Sequence, residues 1–357
     1  MNIKKVALIE ICGSHDECLY SQYRFLIEAG VDVHFIISDN LESRIQHYND
    51  NLNILSLNFN NKLSNDLLKL YKIHQYLIKN EIDKVIINTA SNEIISKLIY
   101  FIPKQTKIFG IIHSLKKLTT SFSQSLINKR IKKYFVINDY LMSYVPKFSD
   151  TKFSSFYPIY FKESAIKIDK DDDDFWVAIP GSIEFIRRDY LGLIHNLDNR
   201  ELPKNLKFLF LSNSKSKYSD AEKIKDLVKD KPLKDNFIFF DEFIMPEKLA
   251  AYLMKTDLIL PLLNPGVANY HDYLNNQISG SFNLSFGFSV PMLMHPDFKS
   301  IDDFEVSSYF CKEDDFYDTL MNFYDNKNLL YRKAQSIKDY KKFTFSYQQS
   351  KFLSFIN

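Results

Sequence analysis

Two histidines lie in loops that follow apolar runs of the kind that form buried strands. His15 follows the first such run and is flanked by Asp16 and Glu17, and His113 follows a later run. Imidazole titrates near neutral pH, so a histidine held by a neighbouring carboxylate can act as a general base. We predict that His15 is a general base oriented by Asp16, with His113 facing the same cleft. For each histidine the alternative is a purely structural role.

A second set of residues, in the C-terminal half, suits a phosphate-bearing ligand. Gly181 and Ser182 follow the apolar run FWVAIP, and Arg187 and Arg188 come soon after. Glycine lets a ligand approach the backbone, and the guanidinium donors match phosphate oxygens. Further along, the sequence SGS at 279–281 precedes an apolar helix, whose free N–H groups and dipole favour an anion.

Three more side chains in loops after predicted strands complete this set. Lys215 ends the stretch FLFLSNSK, Phe243 lies in a loop suited to a nucleotide base, and His271 lies in the long loop 262–276. The alternatives are a plain surface lysine, exposed arginines in an ordinary turn and a mobile loop. The predicted ligand contacts are Gly181, Ser182, Arg187, Arg188, Lys215, Phe243, His271, Ser279, Gly280 and Ser281.

These loops need a scaffold that brings the ends of strands together. Apolar runs alternate with amphipathic segments along the whole chain, which is typical of parallel βαβ units and a doubly wound sheet. The pattern restarts after the acidic stretch 168–174. We predict an α/β fold with two facing Rossmann-like domains, 1–165 and 175–335. Ligands of such sheets bind at the carboxyl ends of the strands.

The composition excludes several classes of protein. The chain has 357 residues and a net charge of +2, too small for a dedicated nucleic-acid binder. Its three cysteines form no metal-binding spacing, and no apolar stretch is long enough for a membrane span. We expect a cytoplasmic protein. With only 8 glycines and no glycine-rich loop, phosphates must be held chiefly by arginine, lysine, serine and helix N-termini.

The positive charge is concentrated in the first half. Residues 1–160 carry 20 Lys and Arg against 14 Asp and Glu, a net charge of +6. The densest basic run comprises Lys129, Arg130, Lys132 and Lys133. We predict that this run approaches an anionic membrane surface or a phosphorylated acceptor. The alternative is a solvated helix face.

Three stretches of the C-terminal half together resemble the donor domain of the GT-B glycosyltransferases, which use nucleotide-sugar donors. They are IPGSIEFIRRDY, FDEFIMPEKLAAYLMKTDLILPL and SGSFNLSFGFSVPML. The resemblance implies that Gly181 and Ser182 face the donor diphosphate and that Arg187 or Arg188, with Lys215, neutralises it. It places Phe243 beside the nucleotide base of the donor, and residues 279–281 beside its phosphate or ribose.

The same resemblance implies the reaction and the ends of the domains. A sugar would pass to a hydroxyl of a glycan or lipid-linked acceptor, as in surface polysaccharide assembly, with His15 and His113 facing the acceptor. The segment 336–357 would return to the first domain. No Asp-x-Asp pair follows a strand, so we expect no metal and no cofactor besides the nucleotide-sugar substrate. The glutamate pair of the retaining branch is absent near 276–277 and 283–285, which leaves the stereochemical outcome open.

Three alternatives remain at this point. A non-hydrolysing nucleotide-sugar epimerase has the same fold but needs several carboxylates in its cleft. A two-lobed solute-binding protein normally needs export. A catalytically inactive GT-B partner subunit is compatible with the missing glutamates.

Overall fold

The computed structural model describes residues 4–59, 63–198 and 200–357. The chain divides into two compact units. Unit 1 contains the described residues up to Tyr160, Asn275–Ile278 and Phe345–Asn357, and unit 2 contains Phe161–Leu274 and Ser279–Thr344. Each unit is built on one parallel sheet with helices, which confirms the predicted α/β organisation.

The sheet of unit 1 has seven parallel strands in the order β3-β2-β1-β4-β5-β6-β7. Its central strands are apolar because helices cover both faces of the sheet. The strands are β1 Lys5–Glu10, β2 Asp32–Ser38, β3 Asn53–Leu57, β4 Lys84–Ile87, β5 Lys107–Ile112, β6 Lys133–Ile137 and β7 Lys152–Phe156. The helices that precede Tyr160 are α1 Leu19–Ile27, α2 Glu42–Ile45, α3 Leu63–Lys79, α4 Glu93–Phe101, α5 Lys117–Thr120 and α6 Phe122–Arg130.

The sheet of unit 2 has six parallel strands in the order β10-β9-β8-β11-β12-β13. They are β8 Phe175–Pro180, β9 Leu206–Asn213, β10 Phe237–Phe240, β11 Leu258–Ile259, β12 Met292–Met294 and β13 Ser308–Phe310. The helices of this half are α7 Tyr190–Leu197, α8 Ala221–Val228, α9 Pro246–Leu253, α10 Tyr270–Asn275, α11 Gly280–Phe288, α12 Asp302–Ser307, α13 Phe316–Asp325 and α14 Lys327–Asp339.

The last helix, α15 Phe345–Ile356, belongs to unit 1, as the resemblance implied. Phe352 is fully buried and stacks on Phe135 of β6, with ring centroids 4.8 Å apart. Lys84 and Lys133 donate to the last carbonyls of α15, where the helix dipole favours cations. The predicted boundary at residue 336 is too early because α14, in unit 2, extends across it.

A second difference from the predicted domains is the segment Asn275–Ile278, which we expected within 175–335. It packs in unit 1 beside the end of β5, where Leu115 N donates to Asn276 O at 2.8 Å and Tyr140 Oη donates to Gln277 O at 3.1 Å. Ile278 adds its side chain to the apolar core of unit 1. The polar sequence of this segment gives no sign of these contacts.

The basic run of unit 1 lies at the end of α6 and the start of β6. Arg130 donates to the carbonyls of Ile102 and Pro103, and Lys132 pairs with Asp150 at 2.5 Å. Since Lys133 is also bonded, to α15, three of the four predicted cations have partners inside unit 1. Across the described ranges, none of the helices combines the length and the apolar character that a membrane crossing requires.

Candidate functional site

In a doubly wound sheet, ligands bind where the strand order reverses, at the carboxyl ends of the strands. The reversal falls between β1 and β4 in unit 1 and between β8 and β11 in unit 2. Both places hold clusters of polar groups.

The unit 1 cluster contains the two predicted histidines. His15 adopts a left-handed conformation, with φ 61° and ψ 26°, just after β1. Its ring stacks on that of His113, which follows β5, with centroids 3.8 Å apart and planes 13° from parallel. The structure therefore joins two side chains that are separated by nearly a hundred residues in sequence.

The carboxylate that orients His15 is Glu17 and not the predicted Asp16. The Nδ1 atom of His15 lies 3.2 Å from Glu17 Oε1, whereas Asp16 pairs with Arg44 at 3.0 Å. Desolvation opposes protonation of His15, but the hydrogen bond to Glu17 and the nearby negative charges outweigh it and raise its pKa. With Nδ1–H donated to Glu17, Nε2 of the neutral ring holds the lone pair that a base needs.

His113 is held in the opposite state. Its Nε2 atom lies 2.7 Å from the carbonyl oxygen of Asn88, and a carbonyl only accepts, so the hydrogen is on Nε2. Burial, and next the charge of His15, lower the pKa of His113 to about 3. Pairs of titratable groups whose pKa values are pushed apart by their surroundings are typical of acid–base chemistry.

Sequence reasoning missed the buried groups beneath the histidines. Glu10, the last residue of β1, is fully buried and accepts hydrogen bonds from Cys12 N, Asn88 Nδ2 and Thr89 Oγ1 at 2.9, 2.8 and 2.5 Å. Burial raises the pKa of the Glu10 carboxyl. The signal available in the sequence was an acid at the end of an otherwise apolar strand. The polar residues 88 and 89 directly follow β4, the strand that pairs with β1.

The unit 2 cluster is organised around Arg188, which is only 7% exposed. Its guanidinium donates to the carbonyls of Pro180, the last residue of β8, and Pro261, which follows β11, and it contacts Ser281 Oγ at 3.4 Å. Gly181 makes room for it, since a Cβ there would lie 2.6 Å from Nη2, and its φ of 100° also disfavours other residues.

The charge of Arg188 has no counter-ion in the part of the chain that the structure describes. No carboxylate pairs with it there, and its Nε atom has no hydrogen-bond partner. A buried charge without an opposite charge is costly, so the site favours an anion.

Arg188 lies beside the first turn of α11, which strengthens this preference. Ser279 caps the helix by accepting from Ser281 N at 3.4 Å, and Ser281 Oγ lies 3.4 Å from Pro180 O. Gly280 is exposed, and the N–H groups of this turn and the helix dipole attract negative charge. The side-chain oxygen of Asn283, in the same turn, is also buried without a partner among the described residues.

The other two predicted cations of unit 2 pair with carboxylates at the surface. Arg187 is half exposed and pairs with Glu184 at 3.0 Å, and the exposed Lys215 pairs with Asp241 at 2.6 Å. Two adjacent arginines thus have different environments, one on the surface and one in the interior.

Ser182 and Phe243 are exposed loop residues, whereas the exposed His271 lies on α10, a short helix within the predicted loop 262–276. Ser182 accepts from Tyr190 Oη through its carbonyl at 3.4 Å, and His271 packs edge-on against Tyr270. Among the described residues, no group of three or more His, Cys, Asp or Glu side chains is arranged to hold a metal ion.

Solved structures with the same fold include sugar-handling enzymes. A glycosyltransferase from Rickettsia africae has a TM-score of 0.68 at 11% identity, over 99% of this chain and 98% of that chain. HepE from Anabaena, solved with UDP and glucose, has a TM-score of 0.66 at 10% identity, over 99% of both chains. A UDP-GlcNAc 2-epimerase from Methanocaldococcus jannaschii has a TM-score of 0.55 at 11% identity, also over 99% of both chains.

No family model matches the chain, and no curated protein matches it. The structural likeness covers nearly its whole length and confirms the GT-B fold predicted from the three motifs.

Proposed function

We propose that this protein is a glycosyltransferase that moves a sugar from a nucleoside diphosphate sugar to a hydroxyl of a glycan or lipid-linked acceptor. The observation that carries the proposal is the buried Arg188 beside the N-terminus of α11. This cation lies at the strand-order reversal of unit 2 and has no counter-ion among the residues that the structure describes. A diphosphate is the anion that such a site suits, and its negative charge increases as the sugar leaves. HepE, of the same fold, was solved with UDP.

In the proposed reaction, unit 1 supplies the base. The acceptor oxygen bonds to the anomeric carbon as the bond from that carbon to the diphosphate oxygen breaks. The acceptor proton passes to Nε2 of His15, and the resulting imidazolium is stabilised by Glu17. The nucleoside diphosphate leaves with the bonding electron pair, and Arg188 and α11 stabilise its charge. A direct displacement of this kind inverts the anomeric centre.

The proposal includes independence from metal ions, because Arg188 and the α11 N-terminus take the place of a divalent cation at the diphosphate. Transfer should therefore continue in EDTA at the rate measured with added Mg²⁺. A rate that collapses in EDTA and returns with Mg²⁺ would refute this part of the proposal.

The direct test is turnover of a panel of nucleoside diphosphate sugars with isolated membrane lipids and glycans as acceptors. We expect slow donor hydrolysis without acceptor and sugar transfer with one. His15→Ala should abolish transfer while leaving UDP binding intact. Conversion of UDP-N-acetylglucosamine to its 2-epimer without acceptor would favour the epimerase. Binding without turnover under every condition would favour an inactive partner subunit.

We also propose that the protein works in surface polysaccharide assembly at the cytoplasmic face of an anionic membrane. Lys129 and Lys132 are the exposed members of the basic run. Reversing both charges should reduce flotation with phosphatidylglycerol vesicles, whereas reversing Lys229 and Lys248, exposed in unit 2, should not. Equal flotation of all three proteins would contradict this role for the run.

A further inference from the structure

Asn88, the first residue after β4, uses every hydrogen-bonding group that it has. Its Nδ2 atom donates to Glu10 Oε2 and to the carbonyl of His15, both at 2.8 Å. Its Oδ1 atom accepts from Gln22 Nε2 at 2.8 Å, and its main-chain N–H donates to Ile9 O at 2.8 Å. Its main-chain carbonyl accepts from His113 Nε2. The residue is fully buried.

These bonds place one residue in contact with both histidines. The side chain holds the carbonyl of His15, whose left-handed backbone is unfavourable for a residue with a Cβ unless its surroundings stabilise it. The main chain holds the ring hydrogen of His113. Because the His15 ring stacks on the His113 ring, the loop that Asn88 anchors also covers one face of His113.

We propose that Asn88 is a positioning residue that sets the ionisation and tautomer of the histidine pair. This inference rests on the proposed function, in which His15 is the base. Asn88 holds His15 where Glu17 can accept from its Nδ1, and it keeps His113 neutral with the hydrogen on Nε2. Glu10 and Gln22 act through Asn88, because Glu10 accepts a hydrogen bond from its Nδ2 atom and Gln22 donates one to its Oδ1 atom.

If Asn88 had only a structural role, its removal would have a different effect. A buried asparagine that only satisfies its neighbours would lower stability when removed, with no specific effect on the two rings. A positioning residue must also change their proton affinities. The charged groups that act on the pair are Glu10 on β1, Glu17 after it and Lys117 on α5. A substitution at residue 88 leaves Glu17 and Lys117 unchanged but removes the hydrogen bond from Asn88 Nδ2 to Glu10.

The test is a pH titration of the histidine ring nitrogens by NMR, with 15N-labelled full-length protein. In the wild type, His113 should show the neutral Nε2–H pattern down to acidic pH, and His15 should titrate above its ordinary value. In Asn88→Ala, the His113 pKa should rise by about 1 unit or more as water enters, and the His15 pKa should fall. Asn138→Ala, which removes an equally buried asparagine at the end of β6, should leave both unchanged.

Gln22→Met is the second variant, because it removes only the donor that holds Asn88 Oδ1 and the bond to Cys18 O. It should shift both pKa values in the same directions by a smaller amount. Wild-type His113 with its hydrogen on Nδ1, or pKa values unmoved in both variants, would overturn the inference. The titration needs no substrate, so a protein that shows these shifts but transfers no sugar refutes the proposed function alone.

Discussion

Replacing Arg188 by methionine should weaken binding of a nucleoside diphosphate by about two orders of magnitude. The guanidinium has five N–H groups. Two donate to the carbonyls of Pro180 and Pro261, and a third contacts Ser281, which leaves two for a ligand. A hydrogen bond to a charged group contributes about 1.5–3 kcal/mol. Two bonds at the lower figure amount to about 3 kcal/mol, or roughly 150-fold in Kd.

The assay is isothermal titration calorimetry with UDP. Inorganic pyrophosphate serves as a second probe, which lacks the nucleotide base. Arg187→Met is the matched control, since Arg187 is the neighbouring arginine but lies on the surface in an ion pair with Glu184. Because exposed ion pairs contribute about 0–1 kcal/mol, the control should retain its affinity within about fivefold.

Stability has to be measured in parallel. Arg188→Met leaves the Pro261 carbonyl without its Arg188 donor and the Pro180 carbonyl with only Ser281 Oγ, and a buried carbonyl that loses its donor costs about 1–3 kcal/mol. It also removes a buried charge that has no counter-ion among the described residues. The two effects oppose each other, so we expect a folded variant. Wild-type affinity in folded Arg188→Met, or an equal loss in Arg187→Met, would refute the assignment of the anion site.

Three further predictions concern unit 1. Glu17→Gln should lower the pKa of His15. The acidic limb of the kcat/KM profile reports loss of the neutral base, so this limb should move to lower pH. An unmoved limb would show that Glu17 has no part in the mechanism. His113 has a folded-state pKa of about 3 against 6.5 when unfolded, so the wild type should lose up to ~1.4 kcal/mol of unfolding free energy per pH unit as pH falls from 6.5 towards 3. In urea titrations, the unfolding free energy of His113→Gln should lack this contribution. If it fell with pH as steeply as in the wild type, the burial of a neutral ring would be contradicted. Phe352→Ala should cost about 3–5 kcal/mol, because its ring packs in the core of unit 1, and a cost below about 1 kcal/mol would show that α15 contributes little to that core.

The alternating βα pattern was readable from the sequence where strands are central. These strands are buried on both faces, so they appear as unbroken apolar runs such as β5 and β8. Of the four edge strands, β10 is an apolar run, FIFF, but β3, β7 and β13 were not recognisable in this way. Their residues are partly exposed and mixed in polarity, as in KFSSF of β7, so no apolar run marks them.

The side-chain partners within the sites were not readable in the same way. Whether Asp16 or Glu17 reaches His15 depends on the left-handed turn at His15 and the short helical turn after it. Likewise, Arg187 and Arg188 have the same chemistry in sequence, and only the loop after β8 sends one inward. The sequence identifies the loops that carry polar groups, but backbone conformation decides which group faces which.

The most direct test of the proposed function is a crystal structure of the protein grown with UDP. We predict that the diphosphate lies at the first turn of α11, with its oxygens within hydrogen-bond distance of the Arg188 guanidinium and the main-chain N–H groups of residues 280–281. A diphosphate bound elsewhere, with Arg188 still lacking an anionic partner, would contradict the account.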